Sequence, residues 1–186
     1  MAETIDRPGP EAVLDFWFVE TPPRLWWAKS EEFDRRVEAR FGATLAAAAA
    51  GELFAWRESP QGRLAEIIVL DQFSRNIFRD RPQAFAQDGM ALALAQTAVA
   101  LGADRALEPT RRAFLYLPYM HSESLVVHAQ AMALFAQPGL EGNLEFERKH
   151  KAIIERFGRY PHRNKALGRA STAEEIEFLM EPGSGF

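Results

Sequence analysis

The chain has 186 residues, 22 basic and 26 acidic side chains, a formal charge of −4 and no cysteine. That length suits one domain able to bury its own core, without a disulfide or metal staple. The missing cysteines exclude disulfides, thiolate nucleophiles and cysteine-held metal, and the acidic balance argues against nucleic acid or an anionic membrane as partner.

The N-terminus carries Glu3 and Asp6, and its apolar stretch Val13 to Val19 is short and broken by Asp15. That is not a secretion signal, and no window approaches the roughly 20 apolar residues that span a bilayer. The expectation is a cytoplasmic protein. Pro10 suits the first turn of a short helix bearing Val13, Leu14, Phe16, Trp17 and Phe18. Thr21-Pro22-Pro23 forces an extended link. Ser30 is placed to cap a helix showing Phe33, Val37, Phe41 and Leu45 at steps of four, which runs on to Gly51. Ser59-Pro60 repeats that start for a helix through Leu64, Ile67, Ile68, Leu70 and Phe73.

Pro82 to Ala100 reads as one alanine-rich helix stopped by Gly102, and Thr110 as the cap of the next, which kinks or restarts at Pro118. Helices over Leu125–Phe135 and Leu144–Phe157 follow, the second stopped by Gly158. Thr172 with Glu175 is a capping box for a last short helix. No stretch shows the alternation of a strand, and no repeat near 34 residues stands out. These spacings predict a single all-α domain over 1–186, with eight to ten antiparallel helices and frayed ends at 1–9 and 181–186.

Three polar clusters interrupt this apolar pattern. Asp71, Arg75 and Arg79 lie four apart, so Asp71 can hold the Arg75 guanidinium, with Gln72 and Asn76 on the neighbouring face. A fixed guanidinium beside carboxamides binds anions or carbonyls, and the same set serves equally as a surface ion pair. After Pro118 come His121 and Glu123, a histidine and a carboxylate able to share proton transfer, or to act as ordinary hydrogen-bonding groups in a helix seam. His121 and His128 are seven apart, about 10 Å along a helix, too far for one zinc ion without further ligands. The third cluster is Arg159, Tyr160, Pro161, His162, Arg163 and Asn164, where Gly158 ends one helix and Pro161 starts another turn. Backbone N–H groups and arginines there suit phosphate or carboxylate. No HExxH, GxSxG, P-loop or dinucleotide fingerprint occurs, so nothing calls for a metal or a cofactor.

Charge is uneven. Residues 145–169 carry 8 basic and 3 acidic side chains, net +5, and four glutamates follow after 170. In its plainest form this is a solvated face balanced by the acidic tail.

At these clusters the chain resembles a bacterial family, domain of unknown function 924. The residues that carry the likeness are Val13-Leu14-Asp15-Phe16-Trp17-Phe18, Trp26-Trp27, Leu70 to Asn76, His121-Ser122-Glu123, Arg156 to Asn164, Leu167-Gly168-Arg169 and Ser171 to Glu175. The resemblance implies an all-α domain classed with tetratricopeptide-like helical superfamilies. It also implies that the polar clusters are hallmark positions; it carries no activity.

Two functions are open from the sequence. In one, Arg75, Arg159 and Arg163 clamp a small anionic ligand and Asn76 and Asn164 orient it. His121 or His162 then moves a proton, with Glu123 or Asp71 as orienter. In the other, the clusters only fix helix crossings of a tetratricopeptide-like scaffold that binds a peptide or protein partner.

Overall fold

The computed structural model describes residues 7–185, so most of the frayed N-terminal segment expected from the sequence lies outside the described residues. Among those described there is no strand. Pro10 opens α1 (Pro10–Asp15), which runs into a π-helical turn at Phe16–Glu20. The Ser30 hydroxyl accepts from Phe33 N and starts α2 (Glu31–Ala49). Ser59 does the same from Gly62 N for α3 (Pro60–Ile68), which continues through a second π-helical turn, Val69–Phe73, into α4 (Ser74–Ile77).

The stretch read as one helix from Pro82 is divided. A 3-10 turn, Pro82–Phe85, is followed by a break, and α5 covers only Asp88–Ala100. The start of α6 (Pro109–Met120) is also corrected. Glu108 is its N-cap with Pro109 in the first turn, leaving Thr110 inside the helix, and Pro118 is carried within it rather than ending it. Then come α7 (Leu125–Phe135) and α8 (Glu141–Phe157), which starts three residues earlier than Leu144 and ends on Gly158 at φ 69°. In that left-handed conformation a Cβ is penalised. A 3-10 turn at Pro161–Arg163 leads into α9 (Asn164–Leu167), and the Thr172–Glu175 capping box starts α10 (Ala173–Leu179).

The main core joins α1 to α7 around Phe16, Trp17, Phe33, Phe41 and Phe73, all buried and in mutual ring contact. Each such side chain contributes about 1.5–3 kcal/mol relative to leaving it in water. A smaller cluster of Ile153, Ile154 and Tyr160, with Phe157 and Phe178 against it, packs the C-terminal elements. The Tyr160 hydroxyl links the two by donating to the Met120 carbonyl at 2.5 Å, at the end of α6.

Gly62 in α3 tests this packing. A Cβ there would lie 2.0 Å from the Trp56 carbonyl oxygen, a backbone atom that cannot rotate away. Alanine in a helix ordinarily gains about 1 kcal/mol over glycine. Here the clash wins: Gly62→Ala is expected to cost about 3 kcal/mol, read as a fall of about 6–12 °C in melting temperature. An unchanged or higher melting temperature would show that the α3 start yields easily.

Candidate functional site

The second π-helical turn sets Asp71. Such a turn inserts one residue into the helical ladder, and here it places the buried Asp71 and Gln72 side chains toward the end of α6. Asp71 Oδ1 lies 2.7 Å from His121 Nδ1 and 3.1 Å from Arg75 Nη1, while Oδ2 accepts from Gln72 Nε2 at 2.6 Å. Burial alone would raise the Asp71 carboxyl, but Arg75 and His121 at contact distance hold it well below the usual range. The group is a carboxylate, so His121 Nδ1 carries the proton that joins them.

Burial pushes the His121 imidazole below its ordinary pKa, against the pull of Asp71. At neutral pH the ring is therefore uncharged, with its free lone pair on Nε2. Among the described residues Nε2 makes no hydrogen bond, and it is not among the sealed, unpartnered atoms. The His121 side chain is 15% exposed, against 1% for Asp71. A histidine held by a buried carboxylate at one nitrogen and open at the other is the geometry of a proton acceptor.

Two arginines flank it. Arg75 donates to the Asp71 carbonyl at 2.7 Å and bonds Asp88 through both its Nη atoms, at 2.9 and 3.0 Å. Arg163, on the 3-10 turn after α8, donates to the same Asp88 at 3.1 Å and to the His121 carbonyl at 2.8 Å. Both guanidinia lie against the Phe85 ring, at 5.6 and 4.7 Å, and Arg163 also lies 4.7 Å from the centre of the Tyr160 ring. Asp71, Arg75, His121 and Arg163, drawn from three separate stretches of sequence, meet at one end of the bundle. The His162 ring lies beside them, 5.4 Å from Tyr160.

The remaining expected residues form a brace next to this cluster. Glu123 accepts from the Tyr160 backbone N–H at 2.8 Å and takes the Arg169 guanidinium at 2.7 and 2.9 Å. Asn164 accepts from Arg169 Nε at 2.9 Å and donates to Ser171 at 3.0 Å and Glu175 at 3.3 Å. Arg159 grips Glu175 at 2.7 and 2.8 Å and holds its carboxyl down at about 2. This brace fixes the loop that carries Arg163. Asn76 turns elsewhere: with Arg79 it binds Asp34 of α2, at 2.8 Å.

Asp88 and Phe85 were missed in the sequence because their stretch reads there as helix interior. Arg169 stood only inside a family motif. Among the described residues no group of three or more His, Asp or Glu is placed to hold a metal ion. No helix of the structure is long and apolar enough to cross a membrane.

The sequence profile of a family described as "bacterial protein of unknown function (DUF924)" matches residues 13–183. The chain belongs to the DUF924 family. A solved structure of a protein of unknown function from Agrobacterium tumefaciens is 37% identical to the chain. The match covers 92% of this chain and 96% of that one, with a TM-score of 0.87. The all-helical DUF924 fold described above is thus shared with a solved structure. A comparison with curated proteins finds no significant match to this chain.

Proposed function

We propose that the protein binds a small anionic molecule where Asp71, Arg75, His121 and Arg163 meet, and that His121 exchanges a proton with it. The observation that carries this reading is His121 itself, with Nδ1 tied to a buried carboxylate 2.7 Å away and Nε2 without a protein partner among the described residues, in a cluster where Arg75 binds the same Asp71 and Arg163 binds the His121 carbonyl. A proton taken from the ligand onto Nε2 would leave an imidazolium that Asp71 stabilises. Glu123, Asn164 and Arg159 support the site by holding the Arg163 loop, and His162 lines its wall.

The test is a thermal-shift series with inorganic phosphate, sulfate, acetate and malonate. An anion present at about 100 times its Kd stabilises by about 2.7 kcal/mol, a rise of about 5–10 °C for a chain of this size. Arg75→Ala should remove the rise while helical circular dichroism stays. No rise with any of the four anions, or an equal rise in the variant, overturns the reading.

A second reading is supported by one feature. An apolar groove of about 460 Å³ lies between α5, α6 and α7, lined by Val99, Tyr119, Ala133 and Leu134. It would suit a peptide on a tetratricopeptide-like scaffold, and a stoichiometric protein partner recovered on the wild type but not on Leu134→Glu would favour it.

A further inference from the structure

The arginine pair already holds a carboxylate, and it is the protein's own. Asp88 meets Arg75 through two parallel bonds of 2.9 and 3.0 Å, the planar geometry by which a guanidinium recognises a free carboxylate. The oxygen that accepts from Arg75 Nη2 also takes Arg163 at 3.1 Å. Phe85 forms a shelf for both guanidinia. Donor capacity remains beyond what Asp88 uses, since the buried Nε of Arg163 has no protein acceptor among the described residues. Asp88 itself is 20% exposed and rides on the first turn of α5. Gln83, Ala86 and Gln87, just before it, line a groove of about 390 Å³ with Leu45, Ile77 and Phe78 on its other wall.

We propose that Asp88 occupies a carboxylate subsite between Arg75 and Arg163, and that the ligand is a small carboxylic acid whose carboxylate displaces it. This rests on the reading that the cluster binds an anion. The exchange needs no new donors: one carboxylate takes over the guanidinium bonds of another. The group the protein itself seats there is a planar carboxylate, and a ligand of the same shape asks for no rearrangement of the two guanidinia. While Asp88 is seated, the apparent affinity is reduced by the small fraction of molecules in which it is not.

The experiment is calorimetric titration of the full chain with malonate, acetate and inorganic phosphate, comparing wild type, Asp88→Asn, Asp88→Ala and, as the control for the anion site, Arg75→Ala. The expected result is at least a tenfold gain in malonate affinity in both Asp88 variants, with phosphate the weaker ligand throughout. If the Asp88 variants are poorly folded, acetate should restore their helical signal where equal chloride does not. Malonate binding that depends on Arg75 but is not tightened in either Asp88 variant overturns the displacement and leaves the anion site standing. Phosphate binding more tightly than malonate overturns the carboxylate class. No binding to the wild type or to either Asp88 variant overturns both the subsite and the anion reading, whereas unfolded Asp88 variants that acetate fails to rescue overturn the subsite alone.

Discussion

His128→Ala is expected to lower stability by about 3–5 kcal/mol, the penalty for stripping two buried polar groups of their hydrogen-bond partner, and melting temperature by about 6–20 °C. His128 and Glu147 are both fully buried between α7 and α8, with Nδ1 2.6 Å from Oε1. The other ring nitrogen lies 2.8 Å from the Ser122 carbonyl. A carbonyl only accepts, so Nε2 carries a proton whichever form the pair takes. Burial pushes the Glu147 carboxyl up, while the His128 imidazole pulls it back. Alanine would therefore strand a carboxyl group and a carbonyl in a dry seam. Glu147→Ala should cost a similar amount. The decisive comparison is the double variant His128→Leu with Glu147→Leu, which removes both polar groups and fills the space. It should cost less than either alanine change, because a matched apolar pair replaces both buried polar side chains at little loss. Urea melts of the three variants measure this. Single changes costing under 1 kcal/mol, or costs that simply add, would place the seam's stability elsewhere.

This seam also marks how far the sequence could be read. The caps at Ser30, Ser59 and Thr172 act over three residues, so they stand in the sequence as they stand in the fold. The Asp71–Arg75 pair is likewise one helical turn apart and is legible. The acidic tail does balance the basic island, through Arg156 with Glu174 and Arg159 with Glu175. What was not legible depends on distance or on a departure from regular helix. His121 reaches Asp71 across 50 positions, and no local pattern announces the π-helical turn that aims Asp71. Asp88 arrives at the arginines because the chain breaks between Phe85 and Asp88, where no proline or glycine stands between them to signal it. Nearby Asp80 adopts φ 60° without being glycine, a turn that the sequence did not flag. Asn76 was drawn to the site by its neighbours, yet its partner is Asp34, 42 residues earlier.

Acidification should unfold the protein in a window that ordinary carboxylates do not explain. Three of the four histidines surround Tyr160: the rings of His128, His150 and His162 are 6.3, 5.8 and 5.4 Å from it, and His121 acts electrostatically on the last two. Burial, first of all, depresses His150 from 6.5 to about 3. The Phe146 carbonyl opposes the shift, and charge on His121, His128 and His162 reinforces it. Burial likewise brings His162 to about 3, with Arg163, Arg75 and His121 adding repulsion and Glu123 resisting. Both groups are neutral when folded and titrate near 6.5 when unfolded, so the unfolded chain binds more protons between those values. Stability is thus fully present above about pH 6.5 and is lost as pH falls toward 3. Each histidine accounts for several kcal/mol at most, against a total of about 5–15 kcal/mol for a typical domain. Exposed aspartates and glutamates titrate near 4, so a decline between pH 6.5 and 5 belongs to the histidines. Thermal melts at pH 8, 6 and 5 should show a steep fall in the wild type, and replacing His150 and His162 together by Gln should flatten it. A melting temperature that holds to pH 5, or a slope unchanged in the double variant, would mean that these rings are charged in the folded protein and that Tyr160 sits in wetter surroundings than its burial indicates.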